Sequence, residues 1–359
     1  MRKPNVGTGG VLTLIVIAAL ALAFAGGHLA FLRDATAWQL GFSVLPQTPA
    51  DPYWTTLGIA VLNTVALSAA AIAVATLIGS VIALVSIAGN PTWATLARGY
   101  VQFFRNMPLI LQALFWFAVF AHMPGPKQAM RFMGTAVSNR GVSIPFFSPA
   151  GLAVAAAAVL AAASLAWALS RARRWSRRAG VLPVCAAALA GWVTGRWGFP
   201  GEPLWSAPEL VGFNFSGGVH LSTELIAMLI ALSMFGSAYV AEIVRGGFAT
   251  VPRATIEAAR ALALPGWVVE LKVRVPLALR AIILPLGSQY TTLIKATSVG
   301  LAVGYTDLFA VTLMSINQSG HTVALLCVMT ACFVLLNQAV VSTANALNHA
   351  FEIPGFDRR

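Results

Sequence analysis

The chain has 359 residues, of which 58% are hydrophobic and only 9% are charged. A water-soluble domain carries about 25% charged residues because its surface must face water, so much of this chain's surface must face lipid. The net charge of +12 does not indicate a nucleic-acid partner, because the basic residues form short clusters between long apolar runs. This distribution is typical of the cytoplasmic loops of membrane proteins, where Lys and Arg also meet membrane lipid.

The cysteines and histidines indicate neither a disulfide framework nor a metal site. Cys185, Cys327 and Cys332 lie inside apolar runs without a CxxC spacing, and an odd number argues against paired disulfides. The five histidines are scattered, with no HExxH motif. We therefore expect no metal and no cofactor in this chain.

Eight apolar segments are long enough to cross a bilayer, which requires about 20 residues per helix. They lie at about 11–32, 57–87, 100–121, 150–169, 181–197, 223–244, 283–304 and 321–346. The sequence therefore predicts an all-α, polytopic membrane protein with about eight transmembrane helices.

The first span has two interpretations. Arg2 and Lys3, the following apolar stretch and Ala23-Phe24-Ala25 fit a cleaved signal peptide. The apolar run continues past this site to Leu32, which favours a retained helix. In both cases the next helix starts outside the membrane.

Lys and Arg set the predicted orientation, with the N-terminus in the cytoplasm. The strongest marker is the basic run at 171–178, and Arg98, the segment 245–280 and the C-terminal arginines fall on the same side. Lys127, Arg131 and Arg140 are exceptions, because they fall in an outer loop.

This topology divides the chain into six parts. They are an N-terminal transmembrane helix (1–32), a periplasmic loop (33–54), core helices (55–121), periplasmic loops with a peripheral helix pair and a basic cytoplasmic loop (122–222), a second core part (223–346) and a cytoplasmic tail (347–359). The outer loops are rich in Pro, Gly and aromatic residues, and interfacial helices would suit Trp38, Phe42, Phe146 and Phe147. Nothing in these loops indicates a separate soluble domain.

The cytoplasmic segment between the sixth and seventh spans concentrates charge in an otherwise charge-poor chain. Good helix formers run from Ala254 to Leu264, and Pro265-Gly266 breaks the helix. We expect a second short helix from Trp267 that ends near Pro276. This segment combines small residues with two charges, Glu257 and Arg260, in a helix-turn-helix, which suits a docked partner. An amphipathic loop that lies on lipid explains the pattern equally well.

The same segment resembles the EAA loop of ATP-binding-cassette (ABC) importer permeases, whose form is E-A-A, three residues, G, nine residues and I-x-L-P. Here it reads Glu257-Ala258-Ala259, Ala263 and Val273-Arg274-Val275-Pro276. Ala263 stands where glycine is usual, and Gly266 is a candidate for its role. The resemblance implies that the loop (245–285) docks as a coupling helix on an ATPase subunit. The implied coupling residues are Glu257, Ala258, Ala259, Arg260, Ala263, Pro265, Gly266 and Pro276.

Further motifs resemble the polar amino acid permeases of the histidine/glutamine type. They are Leu62-Asn63-Thr64, the run Phe104 to Leu109, the run Tyr239 to Gly247, Gly287-Ser288-Gln289-Tyr290 and Lys295-Ala296-Thr297-Ser298. The extra helices and the run Gly304 to Leu308 are most similar to general L-amino acid permeases.

This resemblance implies a permease core of the type I ABC importer fold in the bacterial cytoplasmic (inner) membrane. The chain would form half of a dimeric path for amino acids, with a second and often different permease subunit, two ATPase subunits and a periplasmic binding protein. It contains no GxxxxGK[ST], so it would not be an enzyme itself. The alternative, an ion-coupled secondary transporter, would favour acidic residues at the midplane; Glu242 lies near a span end.

Six polar residues in the predicted spans are candidates for the translocation path: Asn63, Gln112, Gln289, Lys295, Thr297 and Ser298. Interhelical hydrogen bonding is an equal alternative for the amides and Thr297. Lys295 either pairs with a substrate carboxylate or extends to the inner interface and braces Glu242. Glu242 and Arg245, about one turn apart, are expected to form a structural pair.

Overall fold

The computed structural model describes residues 29–88, 90–148, 203 and 205–351. Two compact units are present: a helical unit, 1–118 with 227–359, and a β unit, 119–226. The predicted spans at 150–169 and 181–197, and nearly all of the span at 11–32, lie outside the described residues.

Eight helices of nine or more residues lie within the described residues. Their bounds are α1 Tyr53–Ile87, α2 Pro91–Asn106, α3 Leu109–Ala121, α4 Thr223–Ala249, α5 Arg253–Ala261, α6 Val275–Ala296, α7 Leu308–Ser319 and α8 Thr322–Ala350. Short 3-10 turns cover Ala30–Arg33, Pro126–Gln128 and Thr297–Val303, and Gly266–Val268 and the π-helix Val269–Arg274 lead directly into α6.

Three of these helices, α1, α4 and α8, are individually long and apolar enough to cross a membrane. Two bent pairs, α2 with α3 and Gly266–Val303 with α7, raise the number to as many as five within the described residues. The chain is therefore a mostly helical, multi-pass protein, and the described residues do not confirm the count of eight.

The span predicted at 100–121 is not one continuous helix. Met107 is extended (φ −85°, ψ 122°) before Pro108, because proline disfavours helical backbone at the preceding residue. The two helices on either side, α2 and α3, are bent by 99°. The predicted single span was therefore wrong in this respect, and α2 runs across the direction of α3.

The predicted helix ending near Pro276 was also wrong. Pro276 lies in the first turn of α6, directly after the π-helix Val269–Arg274. The helix therefore continues from Gly266 through the π-helix and α6 to Ala296. Sequence analysis also missed α7, which follows the left-handed Gly304 and begins after Asp307.

Small residues let the long helices of the helical unit approach closely, as is usual in membranes. A Cβ on Gly79 of α1 would lie 2.6 Å from the Ser237 carbonyl oxygen, and one on Gly247 of α4 would lie 2.2 Å from Ile282 Cγ1. These contacts bring α1 against α4 and α4 against α6. The neighbouring packed side chains include Ala83, Val240, Ala241, Val244, Val251, Ala278 and Ile282.

The β unit corrects the expectation of an all-α protein. Its strands are β1 Met130–Phe132, β2 Thr135–Ser138, β3 Gly141–Ile144, β4 Phe146–Phe147, β5 Trp205–Ser206, β6 Glu209–Val211, β7 Asn214–Ser216 and β8 Val219–Ser222. They pair in the antiparallel order β1-β2-β3-β8, with two further pairs, β4-β5 and β6-β7.

The expected interfacial helix around Phe146 and Phe147 is therefore a strand. Strands of two to four residues are too short for alternation to be visible in the sequence. Within the four-stranded sheet, Ser143 Oγ on β3 lies 3.0 Å from His220 Nδ1 on β8. Burial lowers the pKa of His220, which favours the neutral ring.

Candidate functional site

The part of the EAA-like loop from 250 to 276 presents a charged helix to its surroundings. On α5 the side chains of Glu257, Ala258 and Arg260 are exposed, whereas Ala259 is buried against the helical unit. One small residue thus packs inward while the adjacent charges face outward. This arrangement holds α5 in place and leaves its outer face available to a partner.

Large apolar side chains extend this exposed face. Leu262 is 74% exposed, Trp267 65% and Leu271 60%. Exposed apolar groups of this size next to charged residues are typical of protein-interaction surfaces. The EAA-like loop therefore has the chemistry of a docking surface.

Ala263 occupies a left-handed backbone conformation, with φ +55°. A residue with a Cβ is strained there by about 1–2 kcal/mol, which explains why glycine suits this position in the motif. Gly266, in contrast, lies in the helical turn Gly266–Val268 and has no positive φ. The expectation that Gly266 takes over the role of glycine was therefore wrong.

The second half of the loop is anchored to the long helices. Pro265 caps the turn that begins at Gly266, and Val269 is 1% exposed. Arg274 lies 3.3 Å from Glu270 and its guanidinium lies 5.4 Å from the centre of the Phe248 ring. Helical backbone continues from here into α6 without a break.

A second polar group, the outer hydrogen-bonded cluster, joins α1 to the start of α7; its members are Asn63, Thr64, Thr297, Tyr305, Thr306 and Asp307. Asn63 donates through Nδ2 to the Thr306 carbonyl at 2.8 Å, and the Tyr305 hydroxyl donates to the Asn63 carbonyl at 2.9 Å. Thr64 Oγ1 accepts from the Leu308 N–H at 3.0 Å.

Asp307 completes this cluster and is fully buried. Its Oδ1 accepts from the Ala310 N–H at 2.9 Å, which caps α7, and its Oδ2 accepts from Thr297 Oγ1 at 3.1 Å. The side chains of Asn63 and Thr297 thus already have partners within the chain. They hold the helices together in this conformation, as the hydrogen-bonding alternative predicted.

The predicted amides Gln112 and Gln289 are buried as well. Gln112 Nε2 donates to the carbonyls of Phe104 and Met107 at 3.2 and 3.1 Å, so it ties α3 to the end of α2 across the bend. Gln289 is 9% exposed, and its Nε2 has no hydrogen-bond partner among the described residues. Gln289 therefore keeps an unused donor, whereas the Gln112 donor is occupied.

Lys295 lies on a polar stripe of α6 that faces away from the chain. Ser288, Thr292 and Lys295 are all exposed, and their spacing of four and three residues places them on one helix face. Ser298, in the following 3-10 turn, is partly exposed. Sequence analysis missed Ser288 and Thr292 as members of this face, although the i, i+4, i+7 spacing was present.

Lys295 does not brace Glu242. It lies twenty residues beyond Val275, about 30 Å along the helix, whereas Val240, Ala241 and Val244, on either side of Glu242, pack with Ala278 and Ile282 near the start of α6. Glu242 instead binds Arg245 through both oxygens, at 2.6 and 3.1 Å, which confirms the predicted structural pair. The guanidinium of Arg105, on α2, lies 5.0 Å from the centre of the Tyr239 ring, and Tyr239 is on the same helix as Glu242.

Comparison with known proteins gives relatives over most of the chain. Residues 197–351 match the family model described as the binding-protein-dependent transport system inner membrane component. The putative amino-acid ABC transporter permease protein YhdX of Escherichia coli (strain K12) is 35% identical over 90% of this chain and 85% of the relative. The general L-amino acid transport system permease protein AapQ of Rhizobium johnstonii is 34% identical over 83% of this chain and 77% of the relative.

One solved structure, the crystal structure of an amino acid ABC transporter with histidines, is similar in fold. The TM-score is 0.50 at 16% sequence identity, and the match covers 83% of this chain and 95% of that chain. At this identity the likeness concerns the fold alone.

Proposed function

Since this chain belongs to the family of amino-acid ABC transporter permeases, we propose that it forms half of the membrane path of a general L-amino acid importer. It is the membrane-spanning permease subunit of an ATP-driven system and not an enzyme. ATP is hydrolysed by a separate subunit. The description of the matching family as an inner membrane component supports a location in the bacterial cytoplasmic membrane.

The observation that carries the coupling proposal is the continuity between the exposed EAA-like loop and α6. Glu257, Ala258 and Arg260 face outward on α5, and the helix from Gly266 onward joins α6 directly. Docking of an ATPase subunit on this surface would therefore move α6 when two such subunits close on ATP. We assign Glu257, Ala258, Ala259, Arg260, Ala263, Pro265, Gly266 and Pro276 to this coupling surface or its support.

The exposed stripe of α6 supports a shared path between two permease subunits. A lysine in a spanning helix costs about 2.5–3.5 kcal/mol when it faces lipid, so Lys295 requires a polar neighbour or water. A second permease subunit packed against this face would enclose Ser288, Thr292 and Lys295 in an aqueous path. Lys295 would then contact the α-carboxylate that all L-amino acids share.

The other proposed path residues have supporting roles in this picture. Gln289 and Ser298 lie next to the stripe in sequence, whereas Asn63, Gln112 and Thr297 are held in hydrogen bonds. We place the last three at the margin of the path, where they fix the helices that enclose it. A periplasmic binding protein would deliver the amino acid, and the second permease is expected to be a different chain.

Reversal of one charge tests the coupling role. Glu257→Arg should leave the subunit in the membrane but lower the yield of co-purified ATPase subunit and amino-acid uptake by about tenfold or more, as for an interface hot spot. Glu209→Arg, the same reversal on β6, is the matched control and should change neither. If the Glu257→Arg complex keeps its ATPase subunit and full uptake, the coupling role is wrong.

Energy supply is tested separately in right-side-out vesicles that are loaded with ATP or left without it. Uptake should require ATP on the cytoplasmic side and should survive collapse of the ion gradients. Uptake that needs no nucleotide would instead support an ion-coupled secondary transporter.

A further inference from the structure

A cavity of about 210 Å³ lies where the cytoplasmic ends of α1 and α4 meet α2 and the π-helix. Arg98, Arg245 and Arg274 line it together with Ser86, Ile87, Phe248 and Ala249, and its lining contains no carboxylate. It adjoins a larger cavity of about 300 Å³, with which it shares Ser86, Arg98 and Arg245. Three guanidinium groups thus converge on a concave space in a chain with few charges.

The three arginines are not fully neutralised by the acids beside them. Glu242 pairs with Arg245, and Glu270 pairs with Arg274. Arg98 has no ion pair among the described residues and donates only to Thr95 Oγ1, at 3.2 Å. The group therefore carries one net positive charge, which matches a phosphodiester with a single negative charge.

The surroundings of Arg98 are those of a helix at a membrane surface. On α2, which is bent by 99° from α3, Trp93 and Leu96 are 59% and 60% exposed, whereas Arg98 and Gln102 line the cavities. Apolar residues on one side and basic residues on another are typical of helices that lie in the lipid headgroup region. Leu84 of α1, 50% exposed, adds apolar surface nearby.

We propose that this cavity binds the phosphate of an anionic phospholipid from the cytoplasmic leaflet, with Arg98, Arg245 and Arg274 as ligands. Guanidinium groups are suited to phosphate because their N–H donors match its oxygens in pairs. The acyl chains would lie along the exposed apolar side chains of α1 and α2. Because Arg274 belongs to the π-helix between α5 and α6, the bound lipid would stiffen the connection from the EAA-like loop to the spans.

Lipid retention in the intact complex tests this proposal. The complex is placed in phosphatidylcholine nanodiscs with or without phosphatidylglycerol, and the bound lipid is counted by native mass spectrometry after transfer to detergent. Each Arg near a membrane contributes about 1 kcal/mol, so Arg98→Gln should lower retention of phosphatidylglycerol about fivefold and Arg98→Gln with Arg274→Gln about thirtyfold. Phosphatidylcholine should not be retained.

Lys272→Gln is the matched control, since Lys272 is exposed on the same π-helix as Arg274 and lines neither cavity. It should keep the wild-type retention, and Arg98→Lys, which preserves the charge, should keep most of it. Equal losses in Lys272→Gln and Arg98→Gln would mean unspecific attraction to the membrane and would overturn the site.

Two further arms separate the lipid from other anions and partners. Inorganic phosphate and glycerol 3-phosphate, added as soluble competitors at the lipid's concentration, should not displace phosphatidylglycerol; if they do, the membrane is not the source of the ligand. Release of the ATPase subunit by Arg98→Gln with lipid retention unchanged would mean that the arginines bind protein, and would overturn the proposal.

Discussion

The outer hydrogen-bonded cluster and the EAA-like loop both concentrate polar residues, but they use them in opposite ways. Asn63, Thr297 and Asp307 are fully buried and bonded within the chain. Glu257, Arg260 and Trp267 are exposed, and the loop contains a strained backbone position at Ala263. The first region contributes to the stability of the subunit, whereas the second is the surface on which we propose that an ATPase subunit docks.

The difference shows how polar residues in a membrane protein can be sorted. A buried polar group without a partner is costly, so those in the outer cluster pair locally and fix the helices. An exposed charged group in a spanning helix, or an exposed loop that combines charged and large apolar side chains, indicates a surface suited to a partner or an aqueous path. Loss of the first kind should destabilise the subunit, and loss of the second should affect assembly or transport alone.

The largest expected effect comes from the buried carboxylate of the outer cluster. Asp307→Leu removes the cap of α7, leaves the Ala310 N–H without its partner and breaks the bond to Thr297, whose hydroxyl keeps only the Ile294 carbonyl, at a cost of about 2–4 kcal/mol. The thermal unfolding midpoint of the detergent-solubilised subunit should fall and its yield should drop. Asp307→Asn, which still accepts hydrogen bonds at the cap, should recover most of the loss; equal stability of the Leu and wild-type proteins would contradict the assignment.

Replacement of the exposed lysine on α6 should leave stability unchanged and affect transport. Lys295→Met removes the charge that we assign to the cargo carboxylate, which is expected to cost about 2 kcal/mol, or about thirtyfold in uptake. Uptake by reconstituted complex should fall while the unfolding midpoint stays constant. Thr292→Val on the same face is a milder comparison, and undiminished uptake in Lys295→Met would remove Lys295 from the path.

The exposed aromatic residue of the EAA-like loop should behave as an interface residue. Trp267→Ala, at a side chain that is 65% exposed, should hardly change the stability of the isolated subunit. It should weaken binding of the ATPase subunit about tenfold, as measured by titration of the purified proteins. Phe213→Ala, at a side chain that is 67% exposed in the β unit, is the control. Identical binding of the ATPase subunit by the wild-type, Trp267→Ala and Phe213→Ala proteins would argue against docking on this face.

The smallest effect concerns Ala263. Ala263→Gly removes the strain of a Cβ at φ +55°, partly offset by the greater entropy of glycine in the unfolded chain, so we expect a gain of about 0.5–1 kcal/mol. Hydrogen exchange should slow in the amides of α5 and the following turn. Ala258→Gly, five residues earlier and inside α5, should have the opposite sign, and faster exchange in both variants would disprove the strain argument.

The sequence by itself determined that the chain is a multi-pass membrane protein with an EAA-like loop, because apolar run length and local motif spacing depend only on neighbouring residues. It also identified Glu242 with Arg245, since a pair one helical turn apart needs no tertiary information. The same local patterns missed three features of the structure. They are the bend at Pro108, the helix that passes through Pro276 and the strands of two to four residues. None of these features changes the hydropathy of the sequence enough to be visible.

Only the tertiary structure decided which polar residues face each other. Asn63 meets Thr306 across 243 positions of sequence. Asp307 is buried, although nothing in its local sequence indicates this, and Lys295 lies about 30 Å along α6 from the start of that helix. Hydrogen bonding and exposure depend on how helices pack, and packing joins residues that the sequence keeps far apart. For that reason the family and the loop could be predicted, whereas the roles of the intramembrane side chains could not.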